Sequence, residues 1–123
     1  MFDFDILDSK TLLGESSFYL HKTNEIVFLD LLNPSILFYS IKNKTLSKEK
    51  LNLPKPLGNI YPMNNGKFII SSLNGLYIYD RIKKTIKYFQ DVRKENELNN
   101  ISYNDGTITK NKLWIGLSHL KEN

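Results

Sequence analysis

The chain has 123 residues, enough for one domain with a moderate core, and 41% of them are hydrophobic and 24% charged. Its net charge of +4 comes from scattered lysines that form no basic stripe, so no nucleic-acid partner is expected, and the absence of cysteine excludes disulfides and thiolate chemistry. The acidic N-terminus lacks the pattern of a signal peptide and no apolar run reaches the roughly 18 residues of a membrane span, which predicts a cytoplasmic protein with no membrane partner.

Three segments in the first part of the chain have the composition of β-strands joined by tight turns. Residues 25–31 are β-branched, aromatic and largely apolar, as in a strand buried on both faces. Residues 36–41 follow after a turn that contains Asn33 and Pro34, and residues 46–51 are mostly polar, as in an exposed outer strand. The order predicts an antiparallel sheet whose inner strands are the most apolar.

The same succession of strands and turns recurs further along the chain. Strand-like runs at residues 67–72, 76–80 and 85–90 repeat the first unit, and a third copy opens at residues 111–116. A period of about 40 to 50 residues with roughly four short strands is typical of a β-propeller blade. The alternative is an antiparallel sandwich whose segments resemble one another by coincidence.

The repeat therefore predicts an all-β protein, a β-propeller of which the chain covers about two and a half blades. The blades are expected to start near Glu25, Lys67 and Lys112 within a single partial domain, residues 1–123, and residues 1–7 are a candidate strand for closing the last blade. Propellers close with about four to eight blades. We therefore expect either that the chain is the N-terminal part of a longer protein or that several copies self-associate into a ring.

Two short polar motifs precede predicted blades and are candidates for a shared site. Glu15 follows Gly14, and Asn104 lies in the run Tyr103-Asn104-Asp105-Gly106. By the repeat, Glu15 and Asn104 are expected to occupy corresponding positions facing one central channel, which the loop at residues 56–60 also lines. Carboxylate and amide oxygens suit a divalent cation such as calcium, magnesium or manganese. The alternative for Glu15 is a turn residue that faces water at the start of a strand.

Four motifs fall in order and at fitting intervals along the chain: GESSFY at residues 14–19, VFLDLLN at 27–33, YNDG at 103–106 and LWIG at 113–116. On these motifs the chain resembles the senescence-marker-protein/gluconolactonase/luciferin-regenerating-enzyme family, which includes regucalcin-like proteins. The resemblance extends from about Leu12 to Leu117. It implies a six-bladed propeller that hydrolyses sugar lactones with one divalent metal ion (calcium, zinc, magnesium or manganese) in its central channel.

The resemblance also implies roles for individual residues. Glu15 matches the metal-binding glutamate of the family, and Asn104 matches an asparagine on the substrate side of the metal. The rest of the metal shell, an asparagine and an aspartate from later blades, would lie beyond Asn123, and that aspartate is the expected general base. Ser102 stands where many members have a substrate-contacting arginine. The resemblance therefore implies that this protein differs from those members in substrate choice or has lost activity. Glu122 is a candidate for a further family carboxylate, with no role assigned.

The function expected from the resemblance is a divalent-metal-dependent hydrolase that opens sugar lactones, with a small-molecule lactone as its partner. The metal would polarise the ester carbonyl and lower the pKa of a bound water. The alternatives are a non-catalytic β-propeller used for binding, with Ser102 marking a decayed site, or an inactive fragment of the same family.

Two other side chains are given simpler roles from the sequence. Asp30 ends a predicted strand, where a solvated turn residue is expected. Trp114 lies in an apolar strand and is expected to fill core space between blades.

Overall fold

The structure, a computed structural model, describes residues 1–98 and 100–119, without the side chain of residue 97. In these ranges the chain forms ten β-strands in three antiparallel sheets and a short 3-10 helix, Glu95–Glu97. The described residues contain no helix that is long and apolar enough to cross a membrane.

The first two sheets each have four strands in chain order. The first sheet consists of β1 (Gly14–Leu20), β2 (Glu25–Asp30), β3 (Ser35–Ser40) and β4 (Thr45–Lys50). The second consists of β5 (Leu57–Pro62), β6 (Lys67–Ser72), β7 (Gly75–Asp80) and β8 (Thr85–Gln90). The third sheet contains two described strands, β9 (Ile101–Thr109) and β10 (Lys112–His119).

The strands predicted from apolar and alternating runs are confirmed as β2, β3, β4, β6, β7, β8 and β10. The predicted blade starts need correction, because Glu25, Lys67 and Lys112 each begin the second strand of a sheet. The sheets begin one strand earlier, at strands that contain glycine and polar residues and therefore have a weaker strand signal. Residues 56–60, predicted as a loop, belong largely to β5, and residues 1–7 form no strand.

The second sheet is buried on both faces, since it packs between the first and the third. Phe38 of β3 meets Phe68 of β6 edge to face, with ring centroids 5.8 Å apart, in the core between the first two sheets. On the other face, Leu76 and Tyr61 are buried with Tyr103 of β9. Such face-to-face stacking of four-stranded antiparallel sheets is the arrangement of consecutive propeller blades.

An ion pair with nearly ideal geometry joins the first sheet to the second. Arg81, in the turn after β7, donates from Nη1 and Nη2 to the two carboxylate oxygens of Glu25 at 2.7 and 2.9 Å. Its guanidinium carbon also lies 3.6 Å from the ring centroid of Phe38. The hydrogen bonds from Arg81 outweigh the effect of burial and lower the pKa of Glu25. The bidentate pair thus links β2 of the first sheet to the turn after β7 of the second.

Asp30 is buried and does not have the solvated role expected from the sequence. Its side chain is fully buried and accepts backbone hydrogen bonds from Leu12 (3.0 Å), Leu13 (3.2 Å) and Asn33 (3.1 Å). Two of these donors belong to the segment before β1, which Asp30 thereby holds beside the first sheet. The pKa of Asp30 is lowered, because these hydrogen bonds outweigh the opposing effect of burial.

Trp114 is likewise not a core residue among the described parts of the chain. It is 59% exposed, and its indole N–H donates to Thr109 Oγ1 at 2.9 Å. Strand alternation explains this position, because Leu113 and Ile115 on either side face the second sheet.

Candidate functional site

The first strands of the three sheets, β1, β5 and β9, lie side by side and are called the inner strands here. Ser16 Oγ of β1 donates to the carbonyl oxygen of Gly58 in β5 at 3.3 Å. Asn59 Nδ2 of β5 donates to the carbonyl oxygen of Gly106 in β9 at 3.3 Å. These hydrogen bonds place polar residues of all three sheets along one surface.

Each inner strand has a β-bulge near its start, where two residues oppose one residue of the second strand. The bulged pairs are Ser16–Ser17 in β1, Gly58–Asn59 in β5 and Asn104–Asp105 in β9. A bulge bends the strand and redirects its side chains, and bulges recur beside active sites. The repeated bulge is the feature that directs polar side chains to the same end of the three inner strands.

The bulges show that Glu15 and Asn104 are not in corresponding positions, contrary to the prediction. Glu15 directly precedes its bulge, whereas Asn104 is the first bulged residue. Counted from the bulge, the position equivalent to Glu15 in β9 is Tyr103, and the position equivalent to Asn104 in β1 is Ser16. The difference of one residue arises because a bulge is a property of strand pairing that sequence spacing does not reveal.

Two neighbouring clefts lie along the inner strands. A groove of about 460 Å³ contains residues of all three, including the polar side chains of Ser17, Asn59 and Asp105. Glu15 lies in an adjoining cleft of about 300 Å³, together with Ser9, Thr11 and Ser17. Since Ser17 lines both, the exposed carboxylate of Glu15 is next to the groove that the inner strands form.

The backbone of the groove is held by a buried asparagine that the sequence did not single out as a site residue. Besides its bond to Gly106, Asn59 accepts from Ile60 N at Oδ1 (2.7 Å), and its own N–H donates to Ser71 Oγ (2.7 Å). A Cβ at Gly106 would lie 2.2 Å from a carbonyl oxygen of β10, and one at Gly58 would lie 2.5 Å from the Ser71 hydroxyl. Only glycine permits these close approaches.

The other two predicted site residues both lie on β9, where their side chains make local hydrogen bonds. Asn104 is exposed, and its Oδ1 accepts from the backbone N–H of Asp105 at 2.9 Å. The hydroxyl of Ser102 lies 3.3 Å from that of Ser118 on β10, the residue directly opposite it. Asn104 thus presents its side chain at the surface near the groove, while Ser102 is engaged across the strand pair.

A buried polar network fixes the start of β9. Arg93 donates to both oxygens of Asp91 at 3.0 and 2.7 Å and to the carbonyl oxygen of Ile101 at 2.7 Å. Tyr103 donates to Asp91 at 2.7 Å. The hydrogen bonds from Arg93 lower the pKa of Asp91 to about 2, while burial and the bond to Asp91 raise the pKa of Tyr103 to about 12. In the sequence, the only local sign of this network is the spacing of Asp91 and Arg93, two residues apart.

A divalent cation fits the described residues only in part. Glu15 offers a carboxylate and Asn104 an amide oxygen, which are donors that hard cations prefer. Within residues 1–98 and 100–119, however, no three or more His, Cys, Asp or Glu side chains are grouped as a metal site. Glu122, the further candidate carboxylate, lies outside the described residues.

Two solved structures are similar to most of this chain. One is a calcium-binding protein, regucalcin, from Agrobacterium tumefaciens strain C58, with 19% sequence identity and a TM-score of 0.75, covering 89% of this chain and 36% of that protein. The other is a luciferin-regenerating enzyme with 22% identity and a TM-score of 0.75, covering 90% of this chain and 38% of that one. At such identities the likeness shows the fold, a β-propeller, and this chain spans just over a third of either structure.

Sequence comparison gives the family. No curated protein sequence matches the chain significantly. The family model of the SMP-30/gluconolactonase/LRE-like region matches residues 13–123, which include every described strand and all the predicted site residues. The chain therefore belongs to the SMP-30/gluconolactonase/LRE-like family.

Proposed function

We propose that this protein takes part in the divalent-metal-dependent hydrolysis of sugar lactones. The observation that carries the proposal is the exposed carboxylate of Glu15 beside the groove of the inner strands, in a chain matched to a gluconolactonase-like family over residues 13–123. The calcium-binding description of the similar regucalcin structure supports calcium as the first ion to test.

In this proposal the charge of Glu15 is used to hold the cation, and the groove receives the lactone. When bound, the ion would polarise the ester carbonyl and lower the pKa of an attacking water. A groove of about 460 Å³ has the size of a small-molecule site, and the polar side chains of Ser17 and Asp105 line it. They offer hydrogen-bonding groups to the hydroxyls of a sugar. Asn104 lies directly beside Asp105 and would contact the substrate.

The contribution of Ser102 would differ from that of its arginine counterpart in the family. Its hydroxyl already lies within hydrogen-bond distance of Ser118, so it would offer a single neutral contact at the rim of the site. Arginine would provide charge and several donors in a fixed plane. We therefore expect a preference for lactones that bear no anionic group near this position. The remaining metal donors and the general base would come from outside the described residues.

Hydrolysis of glucono-δ-lactone by the protein with its remaining metal donors and general base present, followed as acid release at constant pH, tests the proposal. The rate should rise with calcium, zinc, magnesium or manganese and fall to background after chelation. Glu15→Gln should lower the metal-dependent rate by roughly tenfold or more, since an amide lacks the ligand charge. Glu95→Gln, which changes an exposed carboxylate on the 3-10 helix, is the matched control and should retain the rate.

The second candidate function is a non-catalytic propeller used for binding. The replacement of the family arginine by Ser102, bonded to Ser118, favours it. The same assay separates the two functions, because a binding module would show no metal-dependent hydrolysis. That result would overturn the lactonase proposal.

A further inference from the structure

Asn104 lies at the bulge of β9, and its direction depends on how the backbone of this strand is held. Its side chain is exposed and accepts a hydrogen bond from the backbone N–H of Asp105 at 2.9 Å. A bond between adjacent residues orients the side chain against its own backbone, but it does not hold that backbone against the neighbouring sheet. Contacts on either side of the bulge must do this, because a bulge interrupts the regular ladder of strand hydrogen bonds.

Both flanks of the bulge are held against β5. After the bulge, Asn59 Nδ2 donates to the carbonyl oxygen of Gly106 at 3.3 Å. Before the bulge, the buried Tyr103 packs closely against Gly58, where an added Cβ would lie 2.9 Å from both the Cβ and the carbonyl oxygen of Tyr103. The backbone of β9 therefore has close neighbours in β5 on both sides of Asn104.

The far end of the Tyr103 side chain is anchored in the segment that leads from β8 to β9. Its hydroxyl donates to Asp91 at 2.7 Å and accepts from the backbone N–H of Val92 at 3.0 Å, while the guanidinium carbon of Arg93 lies 4.9 Å from its ring centroid. The hydrogen bonds from Arg93 lower the pKa of Asp91 to about 2, and burial raises the pKa of Tyr103 to about 12. At neutral pH the aspartate is therefore a charged acceptor and the phenol a donor.

The anchored tyrosine also restrains its neighbour, because successive residues of a strand project to opposite sides. A rotation of the backbone at Tyr103 would turn Asn104 away from its present direction. We propose that Tyr103 is a positioning residue, whose hydrogen bond to Asp91 holds Asn104 in the orientation that contacts the substrate. This role rests on the proposed function, in which Asn104 contacts the lactone.

The variant Tyr103→Phe removes the hydroxyl and leaves the rest of the network in place. The ring and its packing are kept, Asp91 keeps its hydrogen bonds from Arg93, and water can bond to the N–H of the exposed Val92. Tyr79→Phe is the matched control, because the Tyr79 hydroxyl is buried between the first two sheets with no partner among the described residues. Both variants should keep the circular dichroism spectrum of wild type.

Steady-state hydrolysis of glucono-δ-lactone, by the protein with its remaining metal donors and general base present, tests the positioning role. Tyr103→Phe should raise KM by roughly threefold to tenfold and leave kcat within about twofold, because a misdirected Asn104 weakens binding of the lactone and of the transition state alike. Tyr79→Phe should keep both constants. In an Asn104→Ala background, Tyr103→Phe should raise KM no further. An unchanged KM, or an equal rise with and without Asn104, would overturn the proposal.

Amide hydrogen exchange, followed by NMR, gives a readout that does not depend on activity. The N–H of Asp105 donates to Asn104, so its exchange rate reports how often the bulge opens. Tyr103→Phe should speed this exchange by roughly tenfold, since a bond to a charged acceptor is lost, and Tyr79→Phe should leave it unchanged. Unchanged exchange in Tyr103→Phe would overturn the positioning role. Faster exchange in a protein that hydrolyses no lactone would support the link between Tyr103 and Asn104 and contradict the proposed function instead.

Discussion

Replacing Asp30 by asparagine should strongly destabilise the fold without changing the size of the side chain. The carboxylate is fully buried at the end of β2 and accepts from three backbone N–H groups. Lys48 Nζ lies 3.7 Å from Oδ2 and is the cation closest to it among the described ion pairs. An amide keeps one oxygen acceptor, but it turns an N–H₂ group towards a backbone donor and removes the charge from every hydrogen bond.

The magnitude follows from the number of bonds affected. A hydrogen bond to a charged group contributes about 1.5–3 kcal/mol, and an unsatisfied buried donor costs about 1–3 kcal/mol. Two of the donors, Leu12 and Leu13, lie in a partly exposed segment where water can replace the lost acceptor. We therefore expect Asp30→Asn to lower the free energy of unfolding by about 2–4 kcal/mol. In a domain of this size that lowers Tm by roughly 10 °C.

The pH dependence gives a second signature of the same carboxylate. The folded-state pKa of Asp30 lies below its ordinary value, so the unfolded chain takes up the proton first as pH falls. The stabilisation is therefore complete above about pH 4 and is lost as pH drops through the lower, folded-state pKa. Asp30→Asn should have a shallower loss of stability in acid than wild type.

Urea unfolding followed by circular dichroism, at neutral pH and in acid, measures both effects. Asp8→Asn is the matched control, because Asp8 is exposed and pairs only with Lys10 among the described residues. A neutral surface substitution changes the free energy of unfolding by about 0.5 kcal/mol or less. If Asp30→Asn changed it by no more than that, the stabilising role assigned to the buried Asp30 carboxylate would be refuted. An unchanged slope in acid would refute the assigned pKa direction.

Four further substitutions test the contacts between sheets and strands. Arg81→Ala and Glu25→Gln should each destabilise the fold, with a coupling free energy of about 1–2 kcal/mol in a double-mutant cycle of urea midpoints, and a coupling near zero would contradict the bidentate geometry. Gly106→Ala should cost about 2 kcal/mol or more in thermal unfolding, because its Cβ would meet a carbonyl oxygen at 2.2 Å. Asp91→Asn leaves the buried Arg93 without its carboxylate and should cost about 3 kcal/mol in the same measurement, whereas a neutral result would show that the network is not structural.

Much of the fold could be predicted because the local composition of most strands is enough to identify them. The apolar β-branched run at residues 25–31 and the strand-like runs of the second sheet need no tertiary information to be recognised. The inner strands were harder, since β5 and β9 contain glycine and polar residues whose strand character depends on neighbouring sheets. Their bulges are properties of register, so Glu15 and Asn104 could be named from sequence while their relative positions could not.

The polar interior was missed for the same physical reason. Asp30 and Asn59 look like turn residues in isolation, and only long-range hydrogen bonds to Leu12 and Gly106 show why they are buried. Trp114 was expected to fill core space between blades, but strand pairing places it on the face of β10 opposite Leu113 and Ile115, away from the second sheet. Local sequence thus predicts which segments are strands better than it predicts which way their side chains face.

Calorimetric calcium titration of the protein with its remaining metal donors present, with Glu15→Gln and Glu95→Gln beside wild type, tests whether Glu15 holds the cation. Wild type and Glu95→Gln should bind calcium, and Glu15→Gln should lose roughly tenfold or more in affinity, because the carboxylate next to the inner-strand groove holds the ion. Equal calcium binding by wild type and Glu15→Gln would contradict this role of Glu15.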